Sequence, residues 1–109
     1  MVYIAKALVS EPRLLILDEP ESNLDFYNQA QLLKILQTLS QSKRTAIIIN
    51  SHYIQNIIRI ANKGLLLSGQ TYLFGNIRDI ITQENVQSFF NANVEIVQVN
   101  TSTALLLKI

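Results

Sequence analysis

Two adjacent carboxylates, Asp18 and Glu19, close the short apolar run Leu14-Leu-Ile-Leu17 and are followed at once by Pro20. The run has no polar alternation, which suits a parallel strand buried on both faces. An open parallel sheet meets its ligands at the carboxyl ends of its strands, so both acids fall where a ligand would be bound. Neighbouring residues on a strand point opposite ways, but where the chain turns at the strand end both can face one cleft. A carboxylate oxygen suits Mg²⁺, directly or through water, and a second carboxylate can accept a proton from an attacking water. That division of labour is the chemistry of phosphoryl transfer.

A third candidate, His52, follows Ser51 at the end of a second β-branched run, Thr45-Ala-Ile-Ile-Ile-Asn50, 33 positions beyond Glu19. Between the two runs, Phe26 to Ser40 carries Phe26, Ala30, Leu33, Leu36 and Leu39 or Leu32 at three- and four-residue spacings, the period of a helix. Asp25 is placed to cap its first turn. Strand, helix and strand over this length make a β–α–β crossover with parallel strands. Glu19 and His52 would then leave neighbouring strand ends on the same edge of the sheet, and their side chains should approach one another across a cleft.

The flanking elements read as follows. Met1 to Ser10 has good helix formers and no breaker before Pro12, which disfavours helical backbone at Glu11. Ile54 to Ala61 is a further helix with Ile54, Ile57, Ile58 and Ala61 on one face, and Ser51 is read as its cap rather than as a ligand. Leu65 to Gly75 forms a hairpin around a Ser-Gly turn. Asn76 to Ile81 and Glu84 to Phe90 are short helices, and Val94 to Val99 and Ala104 to Ile109 are strands around residues 100–103.

Composition sets outer limits. At 109 residues the chain is at most one domain. With 49% hydrophobic and 16% charged residues, it is globular rather than disordered. A net charge of +1, with nine scattered Lys and Arg residues, leaves no basic patch for nucleic acid or anionic lipid. The lack of cysteine excludes a disulfide framework and thiolate metal sites and is compatible with a reducing cytoplasm. No apolar run approaches the roughly 20 residues that span a bilayer, and no signal-peptide pattern is expected.

The segment Leu14-Leu-Ile-Leu-Asp18-Glu19-Pro20 resembles the Walker B strand of ABC-type ATPases. Ser22-Asn23-Leu24-Asp25 resembles the D-loop that follows it in that family, and Thr45 to His52 resembles the next core strand and switch histidine. Ile4-Ala-Lys-Ala-Leu8 is similar to the helix after the family's signature sequence, so the resemblance would start within that helix. It implies an α/β fold with a P-loop-NTPase-like parallel sheet and flanking helices. Residues 1–109 would form an incomplete, C-terminal part of an ABC nucleotide-binding domain. It also implies roles: Asp18 in the Mg²⁺ shell, through water; Glu19 as general base; His52 against the γ-phosphate, holding Glu19 and the water. Ser22 and Asp25 would reach across a dimer interface toward the partner's nucleotide. Glu21 departs from the usual Thr, a position where variation is common.

The family's phosphate cradle, Gly-x-x-x-x-Gly-Lys-Ser/Thr, does not occur in this sequence, whose three glycines stand at 64, 69 and 75. Its glutamine loop, adenine-stacking loop and signature likewise have no counterpart. Leu67-Ser68-Gly69-Gln70 echoes the signature, but it follows the switch histidine, sits in a hairpin and has one glycine too few. The hairpin, short helices and strand after His52 resemble importers of metal chelates of the iron-siderophore, haem or cobalamin type. The expected protein is thus the ATP- and Mg²⁺-dependent subunit of an importer, paired with a second ATP-binding subunit and docked on transmembrane permease subunits. It would lie in the cytoplasm, peripheral on the inner face of the membrane, with neither nucleic acid as partner nor direct insertion into the bilayer. Alternatives are an ABC ATPase acting on DNA or ribosomes and an inactive remnant. The 109-residue chain by itself is expected to be inactive.

Overall fold

The computed structural model describes residues 5, 6 and 8–108. Half of the expected helix from Met1 to Ser10 falls outside them; within it, residues 5, 6 and 8 are helical. The chain forms two compact units, residues 1–52 and 53–109.

In the first unit, β1 (Leu14–Asp18) and β2 (Ala46–Asn50) are joined by the helix α1 (Phe26–Ser42). The strands pair in parallel, from Leu14 opposite Ala46 to Asp18 opposite Asn50, so the expected crossover topology is present. Asp25 caps α1: its Oδ1 accepts a hydrogen bond from the backbone N–H of Asn28 at 2.8 Å. The helix runs to Ser42, two residues beyond the expected end. The N–H groups of Lys43 and Thr45 then donate to the Leu39 carbonyl, and Arg44 takes a left-handed backbone to turn the chain into β2.

The expected stripe of α1 is found in part. Leu32 and Leu36 are fully buried, whereas Phe26 is 90% exposed. Phe26 and Leu36 lie ten residues apart, about 1000° of helical rotation, so they sit on different faces. The core of this unit is Leu15, Leu32 and Leu36. Two-sided burial of the strands is not found: Leu15 is buried, but Leu14, Ile16 and Ile48 are exposed. One helix covers one face of a two-stranded sheet, and alternate side chains point to the other face. Replacing Leu36 by Ala should cost about 2–5 kcal/mol through lost burial and the cavity left behind. Chemical denaturation would register it as a lower midpoint.

In the second unit, α2 (Ile54–Ile60) starts from Tyr53, which has no side-chain capping bond. Ser51 is therefore not its cap; two residues separate Ser51 from the position where helical backbone begins. The hairpin β3 (Lys63–Ser68) and β4 (Thr71–Asn76) pairs Ser68 with Thr71 across the two-residue turn Gly69-Gln70. Gly69 has φ 56°, the positive value that favours glycine at the first turn position. Leu67 to Gln70 thus belongs to a hairpin and not to a helix start, as its position in the sequence indicates.

The short helices α3 (Ile77–Ile80) and α4 (Gln83–Phe90) follow. A Cβ on Gly64 would meet the Cδ1 atoms of Ile80 and Ile77 at 2.6 and 2.7 Å, so α3 packs directly on the β3 backbone. Thr82 caps α4 by accepting from the Asn85 N–H at 3.1 Å. The final strands β5 (Val94–Val99) and β6 (Ser102–Leu107) form an antiparallel hairpin. Its turn, Asn100-Thr101, is shorter than expected because Asn100 adopts a left-handed backbone at φ 58°. Two side-chain bonds tie α4 to β5: Gln87 Nε2 donates to the Val94 carbonyl at 2.8 Å, and the Ile96 N–H donates to Gln83 Oε1 at 3.2 Å. Leu66, Ile77, Ile80, Val86 and Val94 form the core. Among the described residues, no helix is long and apolar enough to cross a membrane.

Candidate functional site

The site is built at the carboxyl ends of β1 and β2. Because the two strands are parallel and in register, Asp18 and Asn50 lie side by side. Asn50 Nδ2 donates to Asp18 Oδ1 at 2.7 Å. The Asn50 carbonyl accepts the backbone N–H of Glu19, also at 2.7 Å. Glu19 takes a left-handed backbone, φ 46°, which turns its side chain away from the strand direction. On the β2 side the chain passes through Ser51 to His52, and His52 Nε2 lies 2.8 Å from Glu19 Oε1. With the proton on Nε2, this is a hydrogen bond from imidazole to carboxylate. The His52 side chain is 78% exposed and that of Glu19 42%, so the pair opens to solvent and either group can be reached by a ligand.

The remaining candidates lie on the loop that leaves Glu19. The Ser22 N–H donates to the Glu19 carbonyl at 3.1 Å and the Leu24 N–H to the Glu21 carbonyl at 3.2 Å, making two successive turns. Ser22 is exposed on this loop, and Asp25 ends it as the cap of α1. The structure thus brings Glu19 to His52 and Asp18 to Asn50, and it sets Ser22 and Asp25 on the connection to α1.

Two participants are not legible from residue type. Asn50 anchors both acids; a polar residue closing an apolar strand opposite Asp18 is its one signal. Glu21 is completely buried, and among the described residues neither of its carboxylate oxygens has a hydrogen-bond partner. Its departure from the usual Thr therefore places an unpaired acid inside the loop.

A parallel β–α–β unit with acids at its strand ends puts the chain in the α/β class that meets ligands at that edge. The comparisons narrow the class. No family model matches the chain. It is 41% identical over 91 residues to the molybdate import ATP-binding protein MolC of Haemophilus influenzae, covering 84% of this chain and 36% of that protein. It is also 41% identical over 83 residues to the oligopeptide transport ATP-binding protein OppD of Escherichia coli, covering 75% of this chain and 25% of that protein. A solved ABC transporter ascribed to the metal-chelate type, in an inward-facing conformation, superposes with a TM-score of 0.88 at 36% identity, covering 97% of this chain and 44% of that one. Over most of its length, then, the chain is homologous to ABC transporter ATP-binding proteins, and its mixed α/β fold matches part of an ABC ATPase domain. It spans between a quarter and just over a third of the length of these curated relatives.

Proposed function

We propose that residues 1–109 are the C-terminal part of the nucleotide-binding domain of an ABC importer, and that they supply the hydrolytic side of its ATP site. The observation that carries this reading is the 2.8 Å contact between Glu19 and His52 at the ends of two parallel strands, in a chain whose homologues are ABC transporter ATP-binding proteins.

In this reading Glu19 orients the hydrolytic water and accepts its proton. His52, held by Glu19, faces the γ-phosphate. Asn50 keeps both strand ends together by bonding the Asp18 carboxylate and the Glu19 backbone. Asp18 suits Mg²⁺: its Oδ1 is engaged by Asn50 and the residue is exposed at the strand end, so its other oxygen can meet the ion directly or through water. A single carboxylate, with waters and phosphate oxygens, is the coordination that Mg²⁺ takes in phosphoryl-transfer sites. When bound, the ion offsets phosphate charge. Ser22 and Asp25 would serve the nucleotide of a second ATP-binding subunit across a dimer interface. Permease subunits would be the further partners, met at the cytoplasmic face of the membrane.

Import as the direction of transport is supported by the name of the Haemophilus influenzae relative, which gives molybdate import; the name of the Escherichia coli relative gives oligopeptide transport. Metal-chelate cargo is supported by the solved neighbour. Iron-siderophore, haem or cobalamin import, expected from the tail after His52, is not among the cargoes those relatives name, and a molybdate-like oxyanion or a metal chelate is the cargo proposed here.

The test is ATP hydrolysis by a complete domain containing this sequence. His52→Ala should reduce turnover by about 10²-fold, the lower end of what a positioned acid–base group contributes, while nucleotide affinity changes little. Turnover at the native rate would remove His52 from the site.

A further inference from the structure

The loop from Glu19 to Asp25 is held closed by opposing terms. On one side stand two backbone hydrogen bonds, from the Ser22 N–H to the Glu19 carbonyl at 3.1 Å and from the Leu24 N–H to the Glu21 carbonyl at 3.2 Å, with a third from Gln29 Nε2 of α1 to the Leu24 carbonyl at 3.0 Å. On the other stands a Glu21 side chain with 0% exposure and, among the described residues, no hydrogen-bond partner for either oxygen. Burying a carboxylate without a partner carries a desolvation penalty larger than the net contribution of one or two backbone hydrogen bonds. Such a group in a folded protein calls for an explanation, and stored strain is one of the few available. The loop also contains two left-handed non-glycine residues, Glu19 at φ 46° and Asn23 at φ 67°. Asn tolerates that region, but Glu does not do so readily.

The ends of the loop are fastened differently. Before it, the Glu19 N–H is tied to the Asn50 carbonyl at 2.7 Å. After it, Asp25 caps α1 through the Asn28 N–H at 2.8 Å. Opening between those points would break the two internal bonds and the Gln29 bond to Leu24, release Glu21 to water and leave Glu19 on its strand end.

We propose that residues 20–24 form a two-state segment, with the buried Glu21 as the residue that keeps the closed state marginal. The open state carries Ser22 away while the Glu19–His52 pair stays in place. The consequence for hydrolysis rests on the function proposed above; the opening itself does not.

Native-state amide hydrogen exchange on the full chain tests this, with thermal unfolding beside it. The Ser22 and Leu24 amides should exchange together and faster than the Glu19 amide. In Glu21→Met, which keeps the length of the side chain and removes its carboxyl group, both should slow by about tenfold or more relative to the amides of α1, and the melting temperature should rise. Should the Met variant fail to fold, Glu21→Gln decides: replacing the acid by an amide should slow the same two amides, by a smaller factor. Exchange at Ser22 and Leu24 that is unchanged or faster in the variant that folds, or a lower melting temperature, would show that Glu21 stabilises the closed loop and would overturn the proposal. So would Ser22 and Leu24 amides that exchange no faster than that of Glu19 in the native chain.

Discussion

In a complete domain carrying this sequence, Glu19→Gln should bind Mg-ATP with near-native affinity and hydrolyse it about 10²–10⁴-fold more slowly. The amide keeps the shape and the hydrogen-bonding length of the carboxylate, and its oxygen still accepts from His52 Nε2. What it loses is the capacity to take a proton from water. Because the backbone N–H of Glu19 is bonded to the Asn50 carbonyl at 2.7 Å, the substitution should not move the strand end, and a change in turnover can be assigned to the side chain. Equal losses in turnover and in binding would instead mean that the contact to His52 organises the whole site. Steady-state phosphate release, with nucleotide affinity measured separately, tells these apart.

The second large effect concerns the chain alone. Titrated calorimetrically with Mg-ATP, the 109-residue polypeptide should show no micromolar binding. Its acids and His52 can meet a phosphate and its ion, but no Gly-x-x-x-x-Gly-Lys-Ser/Thr loop in the sequence offers backbone amides and a lysine to the phosphates. Each charge-assisted bond of that kind contributes roughly 1.5–3 kcal/mol. Three of them amount to about 5–9 kcal/mol, and at 1.4 kcal/mol per tenfold that is a weakening of about 10³–10⁶ in affinity. The apolar face of the sheet, with Leu14, Ile16 and Ile48 exposed, points the same way. Parallel sheets are normally covered on both faces, and patches of this kind favour association with other surfaces. Light scattering during the titration should therefore report self-association before it reports a nucleotide effect.

The parts legible in the sequence are those where one physical signal dominates. Leu14 to Leu17 and Thr45 to Asn50 are too short and too β-branched or apolar for helices, and the segment between them is long enough for a crossover; parallel pairing follows, and with it the approach of Glu19 to His52. Asp25 as a cap is equally local, since an acid just before a helical period has one obvious backbone partner. The hairpin at Gly69 rests on a residue that accepts positive φ without strain.

What was not legible depended on competing or distant interactions. In α1, leucines at 32, 33, 36 and 39 support two overlapping stripes, and only the direction of the sheet selects the one through Leu32 and Leu36 over the one through Phe26. Ser51 is chemically a good cap, but the chain runs two residues further before it turns helical, with His52 on Glu19. Two-sided burial was inferred from the apolar run itself, which records what a strand can tolerate rather than what covers it. The burial of Glu21 has no sequence signal at all, because an acid beside Pro20 reads as solvated until the double turn takes it in.

In the function proposed above, this chain contributes the hydrolytic side of an ATP site, with the phosphate-binding loop supplied by another segment. Phosphate release from Mg-ATP tests it most directly, measured for the chain alone and for a domain in which it is joined to a segment bearing a Gly-x-x-x-x-Gly-Lys-Ser/Thr loop. The expected result is no release from the chain alone, release from the joined domain, and loss of that release in Glu19→Gln. Release from the chain alone, or release from the joined domain that survives Glu19→Gln, would contradict it.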